Sequence, residues 1–339
     1  MTTDLTLPPD RGRDVTSPLI EVRGLSVSFQ THGGILPAVE DVSFTLYPGD
    51  ILGVVGESGS GKTVTVSSLM GLLPESARVT AGEVLYGGRN LLELSETALE
   101  IVRGEEIAMV FQDPMTSLNP VMRVGHQISE ALRIHGASRG EARVRALELL
   151  ELVGIPNPRE RIRQFPHEMS GGMRQRVVIA IAIANRPSVL IADEPTTALD
   201  VTIQAQVLEV LAAGCRATGA SMILVTHDLG VIAEVADRVA VMYAGRIVET
   251  GTVETIFQRP RHPYTIGLFS SLPRLDGELG RLAPIPGTPP TLAARPPGCA
   301  FHPRCFLSGG RSECRARITD LAPLGSGHTA ACHFISETA

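Results

Sequence analysis

One glycine-rich segment limits what this chain can fold into more than any other feature of its sequence. It follows the apolar run Ile51–Val55, precedes a segment of helical period that begins at Val64, and reads Gly56-Glu57-Ser58-Gly59-Ser60-Gly61-Lys62-Thr63. A strand, a glycine-rich loop and a helix in this order fit the phosphate-binding loop pattern. Backbone N–H groups and the helix N-terminus then hold phosphate oxygens. Lys62, the only lysine of the chain, is predicted to reach the β- and γ-phosphates, and Thr63 to ligate Mg²⁺.

Composition narrows the class of protein. With 339 residues, 43% of them hydrophobic, the chain can bury one large core or two smaller ones. A net charge of -6 argues against binding to nucleic acid through phosphate contacts. The longest apolar run, Val177–Ala184, has eight residues, far fewer than the roughly 20 of a membrane-spanning helix. Residues 1–18 are polar and lack the apolar centre of a secretory signal, which predicts a flexible leader on a cytoplasmic chain.

Buried strands and helices alternate along the sequence. Apolar runs at Ile51–Val55, Val189–Ala192 and Met222–Val225 are separated by longer segments of helical period. This alternation predicts an α/β fold with a parallel sheet and crossover helices. No internal repeat is found, so we expect one copy of the fold.

Two additions to that sheet are predicted. Between Met115 and Phe165, arginines and glutamates surround a single apolar helical face, which indicates a helical insert. That face is formed by Val144, Leu147, Leu150 and Val153. Six prolines lie within Pro284–Pro297 and a cysteine-rich end follows, so we expect a small appended module from about residue 256.

Two adjacent carboxylates, Asp193 and Glu194, end the apolar run Val189–Ala192. Successive residues of a strand face opposite sides, so the two side chains need different roles. Asp193 is placed to hold the Mg²⁺ shell, and Glu194 to polarise the water that attacks the γ-phosphate. A strand end with solvated charges is the alternative, but the phosphate-binding loop upstream favours catalysis.

Just ahead of those carboxylates, the segment Ser170-Gly171-Gly172-Met173-Arg174-Gln175-Arg176 resembles the signature motif of ABC ATPases. Gln112, Asp200 and His227 stand in segments that resemble the Q-loop, D-loop and H-loop of the same family. All of these motifs occur in the order that the family has. The resemblance implies a P-loop NTPase of the ABC ATPase fold over residues 19–255, with a helical subdomain at about 115–165.

The resemblance also implies roles for individual residues. ATP would lie between the phosphate-binding loop of one subunit and Ser170–Gly172 of another, in a head-to-tail dimer. His227 would contact the γ-phosphate and the attacking water, and Gln112 would sense the γ-phosphate or Mg²⁺. Phe29 would stack on adenine, although a core strand residue is the alternative there. With Lys62 and Glu194, Gln112 and His227 complete the predicted catalytic set, and Asp200 is expected at the nucleotide.

Longer stretches narrow the resemblance to the ATPases of dipeptide and oligopeptide importers. Residues 165–176 and 193–202 carry it in the ATPase part, and residues 261–265 and 297–305 carry it in an extension spanning 256–339. It implies an ATP-hydrolysing subunit that energises peptide uptake, peripheral on the cytoplasmic face of a bacterial inner membrane. Its expected partners are two integral-membrane permeases and, through them, an extracytoplasmic peptide-binding protein. Met173, where many ABC proteins have Gln, suggests a heterodimer with a second, related ATPase.

Alternative functions stay open at this point. Import of nickel or glutathione is compatible with the same residues, because other subunits select the solute. A soluble ABC ATPase that remodels a ribosome or a DNA-repair complex is an alternative of another class. A kinase with a phosphate-binding loop is a third alternative, and such an enzyme would not need Ser170–Gly172.

Four cysteines cluster in the tail, with five, eight and seventeen residues between them: Cys299, Cys305, Cys314 and Cys332. The spacing is not a standard zinc pattern, and a cytosolic chain disfavours disulfides. A four-thiolate metal site or four unrelated buried thiols remain, and the segment is too rich in glycine and proline to form a core alone. The resemblance ranks a [4Fe–4S] cluster first and zinc second. Cys215 is predicted to be a structural residue at a helix end.

Overall fold

The computed structural model describes residues 17–113, 117–196, 200–271 and 284–338. Most of the predicted leader, the start of the predicted helical insert, and Ala198 and Leu199 of the predicted D-loop lie outside the described residues. The chain divides into two structural units. The first contains the residues up to Ile20, Leu46–Ile51 and Glu93–Val225, and the second contains Glu21–Thr45, Leu52–Leu92 and the chain from Thr226 onward.

The secondary structure alternates strands and helices through both units. In chain order, the described strands are β1 (Ile20–Thr31), β2 (Gly34–Leu46), β3 (Ile51–Val55), β4 (Ala77–Tyr86), β5 (Arg89–Asn90), β6 (Ile107–Val110), β7 (Val189–Asp193), β8 (Ser221–Thr226), β9 (Arg238–Tyr243), β10 (Arg246–Thr252), β11 (Ala322–Gly325) and β12 (His328–Ala330). The described α-helices are α1 (Lys62–Leu69), α2 (Glu96–Glu105), α3 (Val124–Ile134), α4 (Arg139–Leu152), α5 (Pro158–Arg161), α6 (Gly171–Ala182), α7 (Val201–Thr218), α8 (Leu229–Val235), α9 (Val253–Gln258), α10 (Pro263–Ser270) and α11 (Ser312–Ala316).

In the first unit, β8, β7 and β6 are neighbours in that order and run parallel. Val189 of β7 pairs with Ile107 on one side and Ser221 on the other. All residues of β7 are buried, as expected for a strand covered on both faces. Helix α7 joins β7 to β8, the crossover that parallel neighbours require. The predicted α/β fold with apolar parallel strands is confirmed.

The helical part of the first unit corrects one detail of the prediction. Of the predicted apolar face, Leu150 and Val153 are buried and Leu147 is half-buried, but Val144 is 62% exposed. Helix α4 also buries Ala142, Ala146 and Leu149. The Ser129 hydroxyl of α3 lies 3.5 Å from the carbonyl oxygen of Ala142, so the two helices approach closely. Alanines allow this approach where a valine would keep the backbones apart, which explains why the larger residue turns outward.

In the second unit, β3 pairs in parallel with β9 and leads directly into the glycine-rich loop and α1. Beyond β9, the strands β10, β12 and β11 are added antiparallel. A separate sheet has the order β2-β1-β4-β5. Among the helices of the described ranges, none is both long and apolar enough to cross a membrane.

A buried carboxylate joins β10 to the tail within the second unit. Glu249 is fully buried and accepts hydrogen bonds from the backbone N–H groups of Arg261, at 2.6 Å, and His262, at 2.8 Å. Its Oε1 lies 2.8 Å from the Nε2 atom of His328 on β12. The three contacts replace the water that the carboxylate loses, so Glu249 fixes the C-terminal strands against β10.

Candidate functional site

Close packing explains the glycines of the phosphate-binding loop. A Cβ atom at Gly56 would lie 2.2 Å from the carbonyl oxygen of Met242, which no side chain can do. Gly61 precedes α1 with a φ of 100°, in the left-handed region that glycine adopts without strain. The loop therefore needs glycine at both positions to turn from β3 into α1.

Lys62 lies inside the curve of the loop and is 4% exposed. Its ammonium group donates hydrogen bonds to the carbonyl oxygens of Gly56, at 2.7 Å, and Glu57, at 3.1 Å. The hydroxyl of Ser60 is buried and has no hydrogen-bond partner among the described residues. A buried hydroxyl without a partner costs stability, so the loop fits a ligand that brings its own acceptors, as a phosphate does. Thr63 follows in the first turn of α1, with its side chain exposed.

Glu57 is predicted to bind nucleotide because of its place in the loop. Its carboxylate pairs with the guanidinium group of Arg304, with N–O distances of 2.6 and 3.0 Å. Of the remaining loop residues, Ser58 and Gly59 are exposed. They form the part of the loop that a ligand in solution can reach.

The two predicted carboxylates end β7 in the first unit. Asp193 is buried. The backbone of Glu194 has a φ of 45°, and its N–H donates to the carbonyl oxygen of Val225 at 2.9 Å. A positive φ at a residue with a side chain is strained, and such strain concentrates at functional sites. The amide nitrogen Nε2 of Gln112 donates to Oε2 of Glu194 at 3.2 Å, so the fold brings these two predicted catalytic residues together.

The signature segment and the D-loop residue both begin helices. Ser170 caps α6, with its hydroxyl accepting the N–H of Met173 at 3.3 Å, and Gly171 and Gly172 form the first turn. Asp200 caps α7 by accepting the N–H of Ile203 at 3.0 Å. A Cβ atom at Gly172 would lie 2.6 Å from Cγ2 of Ile203, so a glycine lets the two helix starts approach closely.

The remaining predicted residues, His227 and Phe29, lie in the second unit. His227 follows β8 and is exposed, just before Asp228, which caps α8. Phe29 lies near the end of β1 and is half-buried.

The four cysteines of the tail are near one another but do not form a metal-binding geometry. The N–H of Cys299 donates to the carbonyl oxygen of Cys314 at 2.9 Å, and the thiols of Cys299, Cys305 and Cys332 interact electrostatically with each other and with Cys314. Burial raises the pKa of the Cys299 thiol to about 11 and also raises the pKa values of the other three. Within the described ranges, no three His, Cys, Asp or Glu side chains are arranged to hold a metal ion, so the predicted four-thiolate site is not supported.

Cys215 is separate from that group. It is buried near the C-terminal end of α7, its sulfur atom lies 4.0 Å from that of Met222, and burial raises its pKa to about 12. A thiol held in this neutral form packs as a small apolar side chain.

Comparison with known families and proteins decides the family. The family described as ABC transporter matches residues 39–197, and the one described as oligopeptide/dipeptide transporter, C-terminal region, matches residues 248–314. The dipeptide transport ATP-binding protein DppD of Bacillus subtilis is 56% identical over 289 residues, which cover 85% of this chain and 86% of that protein. The chain belongs to the oligopeptide/dipeptide branch of the ABC transporter ATP-binding proteins.

Other members of this ABC family differ in length from the chain. The oligopeptide transport ATP-binding protein OppD of Mycobacterium tuberculosis is 53% identical over 319 residues, which cover 93% of this chain but 52% of that protein. The chain thus spans about half the length of that relative. The OppD protein of Bacillus subtilis is 58% identical over 287 residues, which cover 84% of this chain and 80% of that protein.

Solved ABC cassettes have the same fold. A dimeric ATP-binding cassette in a post-hydrolysis state, bound to ADP and Pi, is 27% identical, with a TM-score of 0.62 over 69% of this chain and 98% of that one. A component of the cbiONQ ABC transporter complex of Clostridium perfringens is 25% identical, with the same TM-score over 72% of this chain and 92% of that one. The predicted ABC ATPase fold is confirmed.

A cationic groove of this ABC family member was missed by sequence reasoning. It lies in the helical part of the first unit and has a volume of about 790 Å³. Its charged and titratable lining residues are Arg123, Arg133, Arg139, Arg143, Arg163, His126 and Glu130. The arginines are visible in the sequence, but they read there as the solvated face of amphipathic helices. The packing of α3 on α4, and of the segment after α5 on the start of α3, gathers them into one groove.

Proposed function

We propose that this chain is the ATP-binding and ATP-hydrolysing subunit of an ABC importer that takes up dipeptides or oligopeptides through separate membrane permeases. The observation that carries the proposal is the phosphate-binding loop, which closes around Lys62 and keeps the buried hydroxyl of Ser60 without a partner among the described residues. The names of the relatives, which are oligopeptide and dipeptide transport ATP-binding proteins, favour peptides as the solute.

Each residue of the proposed ATP site has a physical role. Lys62 and the N–H groups of the loop hold the phosphates, while Thr63 and Asp193 are the residues that would hold Mg²⁺. The bound Mg²⁺ would supply positive charge to the phosphate oxygens. Glu194 polarises the attacking water and Gln112 orients its carboxylate through the observed hydrogen bond. His227 contacts the γ-phosphate, and Phe29 stacks on adenine.

We assign Ser170, Gly171 and Gly172 to the nucleotide of a partner ATPase in a head-to-tail dimer. Helix α6 begins at Gly171, and helix N-termini favour anions because their N–H groups are unpaired and their dipole is positive. We assign Asp200 to the same nucleotide, because it caps α7 through the N–H of Ile203, and Ile203 packs against Gly172 at the start of α6. Met173 supports a second, related ATPase as that partner.

The proposed membrane partners are two permeases, reached at the cytoplasmic face of a bacterial inner membrane, with an extracytoplasmic peptide-binding protein beyond them. We assign the cationic groove to an acidic cytoplasmic segment of a permease. Five arginines and one glutamate line the groove in a chain whose net charge is -6, so the local charge opposes that of the whole protein. Opposite charge steers and orients such a contact.

We also propose that the tail thiols bind a metal group once they rearrange, since their arrangement in the described ranges does not itself hold a metal ion, with [4Fe–4S] as first choice and zinc as second. Support comes from the presence of four cysteines within 34 residues and from the hydrogen bond that joins the backbones of Cys299 and Cys314. The cluster would be held by Cys299, Cys305, Cys314 and Cys332. Assay of iron and labile sulfide in anaerobically prepared protein tests this choice, and zinc analysis tests the second. Well-folded protein with neither metal would overturn the proposal.

Uptake by living cells tests the function. Cells that carry chromosomal Glu194→Gln should lose uptake of labelled dipeptides or longer peptides, whereas glutathione and Ni²⁺ should enter as in the parent strain. Loss of glutathione or Ni²⁺ uptake instead would identify one of the alternative importers. If all four solutes enter unchanged and the protein does not copurify with membrane proteins, the soluble ABC ATPase becomes the better assignment.

A further inference from the structure

A buried arginine of the C-terminal extension contacts the phosphate-binding loop. Arg304 is 7% exposed, and its Nη1 and Nη2 atoms donate to Oε2 and Oε1 of Glu57 at 2.6 and 3.0 Å. The two residues are 247 positions apart and both belong to the second unit. Two parallel N–H···O bonds fix the direction of the carboxylate as well as its distance, which a single ion pair does not do.

Within the loop, each polar group of Glu57 has a partner. Its N–H donates to the hydroxyl of Tyr264 at 2.8 Å, and its carbonyl oxygen accepts bonds from Lys62, at 3.1 Å, and from the N–H of Ser60, at 3.2 Å. The carboxylate is held by Arg304. A shift of Glu57 would therefore move the carbonyl group that holds the ammonium of Lys62.

Arg304 is itself held in place. Its Nε atom donates to the carbonyl oxygen of Pro286 at 2.9 Å, and Nη1 lies 3.3 Å from the hydroxyl oxygen of Tyr243. The guanidinium carbon lies 5.8 and 6.0 Å from the ring centres of Tyr243 and Phe301, within range of a cation–π interaction. A guanidinium fixed in this way loses little freedom when it binds a carboxylate, so the pair is preorganised.

Aromatic packing connects Tyr264 and Arg304, the two residues that hold Glu57. The ring of Tyr264 lies 4.5 Å from that of Tyr243 and 5.4 Å from that of Phe301, centre to centre. Tyr264, which holds the N–H of Glu57, thus packs on the same rings as Arg304, which holds its carboxylate. Displacement of either Tyr264 or Arg304 would therefore disturb the other.

We propose that Arg304 is a positioning residue for ATP binding, which holds the phosphate-binding loop through Glu57 and makes nucleotide affinity depend on the folded C-terminal extension. The proposal rests on the proposed function of the loop. Arg304 acts in two ways. It fixes the loop in the shape that presents its N–H groups, and it neutralises a carboxylate that would otherwise repel the phosphates of the nucleotide.

Equilibrium ATP binding and steady-state hydrolysis by the full chain test the proposal. Arg304→Met should weaken ATP binding by about 10- to 100-fold, the effect of losing a hydrogen-bonded charge pair, and KM should rise by more than kcat falls. Arg304→Lys keeps the positive charge but cannot form the two parallel hydrogen bonds, so its ATP affinity should lie between those of wild type and Arg304→Met. Arg304→Met with Glu57→Gln removes the repulsive charge and should recover part of the lost affinity.

A matched control lies in the same extension. Arg311 forms an exposed two-bond pair with Glu337, at 2.9 and 3.0 Å, that does not involve the loop. Arg311→Met should leave ATP affinity unchanged, which separates the effect of Arg304 from a general effect of losing a tail ion pair. Thermal unfolding without nucleotide shows which variants are folded.

Two results distinguish failure of this inference from failure of the proposed function. If wild type and Lys62→Ala bind ATP equally, the loop is not the ATP site and the proposed function is wrong. If Lys62→Ala loses ATP binding while folded Arg304→Met binds like wild type, the loop is the site and the role of Arg304 is overturned. Should Arg304→Met fail to fold, wild-type ATP affinity in folded Arg304→Lys overturns it.

Discussion

Gln112 donates a hydrogen bond from Nε2 to Oε2 of Glu194 at 3.2 Å, although the two residues are 82 positions apart. The pairing of their strands explains the contact. Val110 of β6 lies opposite Ala192 of β7 in a parallel register, so both strands end at one edge of the sheet. The hydrogen bond holds one oxygen of the Glu194 carboxylate in place, which, under the proposed function, sets the direction in which this carboxylate can polarise water.

Glu194→Gln should lower ATP hydrolysis by about 10²- to 10⁴-fold while ATP binding is retained, because a neutral amide cannot polarise water as a carboxylate does. Phosphate release and equilibrium binding measure the two properties. Glu209→Gln, an exposed change on α7, is the control and should hydrolyse ATP like wild type. Normal turnover in Glu194→Gln would exclude Glu194 as the base.

Ser170→Ala and Ser138→Ala form a matched pair, since each serine caps a helix of the first unit through a 3.3 Å hydrogen bond. Both variants should lose about 1 kcal/mol of unfolding free energy, the usual effect of removing a cap. Only Ser170→Ala should also weaken ATP hydrolysis, since we assign that residue to the nucleotide of a partner subunit. Equal hydrolysis by the two variants would leave Ser170 with a structural role alone.

Stability should fall in acid because of His262. Burial lowers the pKa of its imidazole from 6.5 to about 3. The unfolded chain therefore binds a proton that the folded chain does not, so the free energy of unfolding decreases as the pH drops from about 6 towards 3, by about 1.4 kcal/mol per pH unit for that proton.

Chemical unfolding at several pH values measures this dependence, and His262→Asn is the comparison. The side chain of Asn can still cap α10, where His262 now accepts the N–H of Tyr264, but it does not titrate. Its stability curve should be flatter than that of wild type below pH 6. Parallel curves would rule out His262 as the source of the acid sensitivity.

Glu249→Leu should destabilise the second unit by about 3–5 kcal/mol, because His328 and two backbone N–H groups lose a buried acceptor. Glu254→Gln, an exposed change on α9, should stay within about 0.5 kcal/mol of wild type. Denaturant titrations of both variants measure the difference. A small effect of Glu249→Leu would mean that the tail is not held by this carboxylate.

Charge reversal in the cationic groove should separate hydrolysis from transport. With Arg133, Arg139 and Arg143 all changed to Glu, the groove would repel an acidic partner, so peptide uptake and copurification with permeases should fall at least about tenfold. Hydrolysis by the isolated chain should remain. Arg216→Glu, an exposed reversal on α7, should preserve uptake. Unchanged uptake in the triple variant would place the permease contact elsewhere.

Local patterns carried most of the correct predictions. The order of β3, glycine-rich loop and α1 is visible because all three lie within about twenty residues, and the apolar run of β7 directly precedes Asp193 and Glu194. The contact between Glu57 and Arg304 could not be predicted in this way, since no local pattern links residues so far apart.

Two further differences between the sequence pattern and the structure have physical causes that a single sequence does not show. Val144 is exposed because α3 packs against the side of α4 that carries Ala142, and hydrophobicity alone ranks valine above alanine. Glu249 resembles a solvent-facing charge of a strand, but partners from the tail allow it to be buried.

The buried position of Lys62 has a practical consequence, since it is the only lysine of the chain. Acylating reagents and amine crosslinkers can react with only one side-chain amine, and it lies within the phosphate-binding loop. Guanidinium groups, which carry the rest of the positive charge, do not react with such reagents under mild conditions. The rate of lysine acylation would therefore follow the opening and occupancy of this loop without any engineered label.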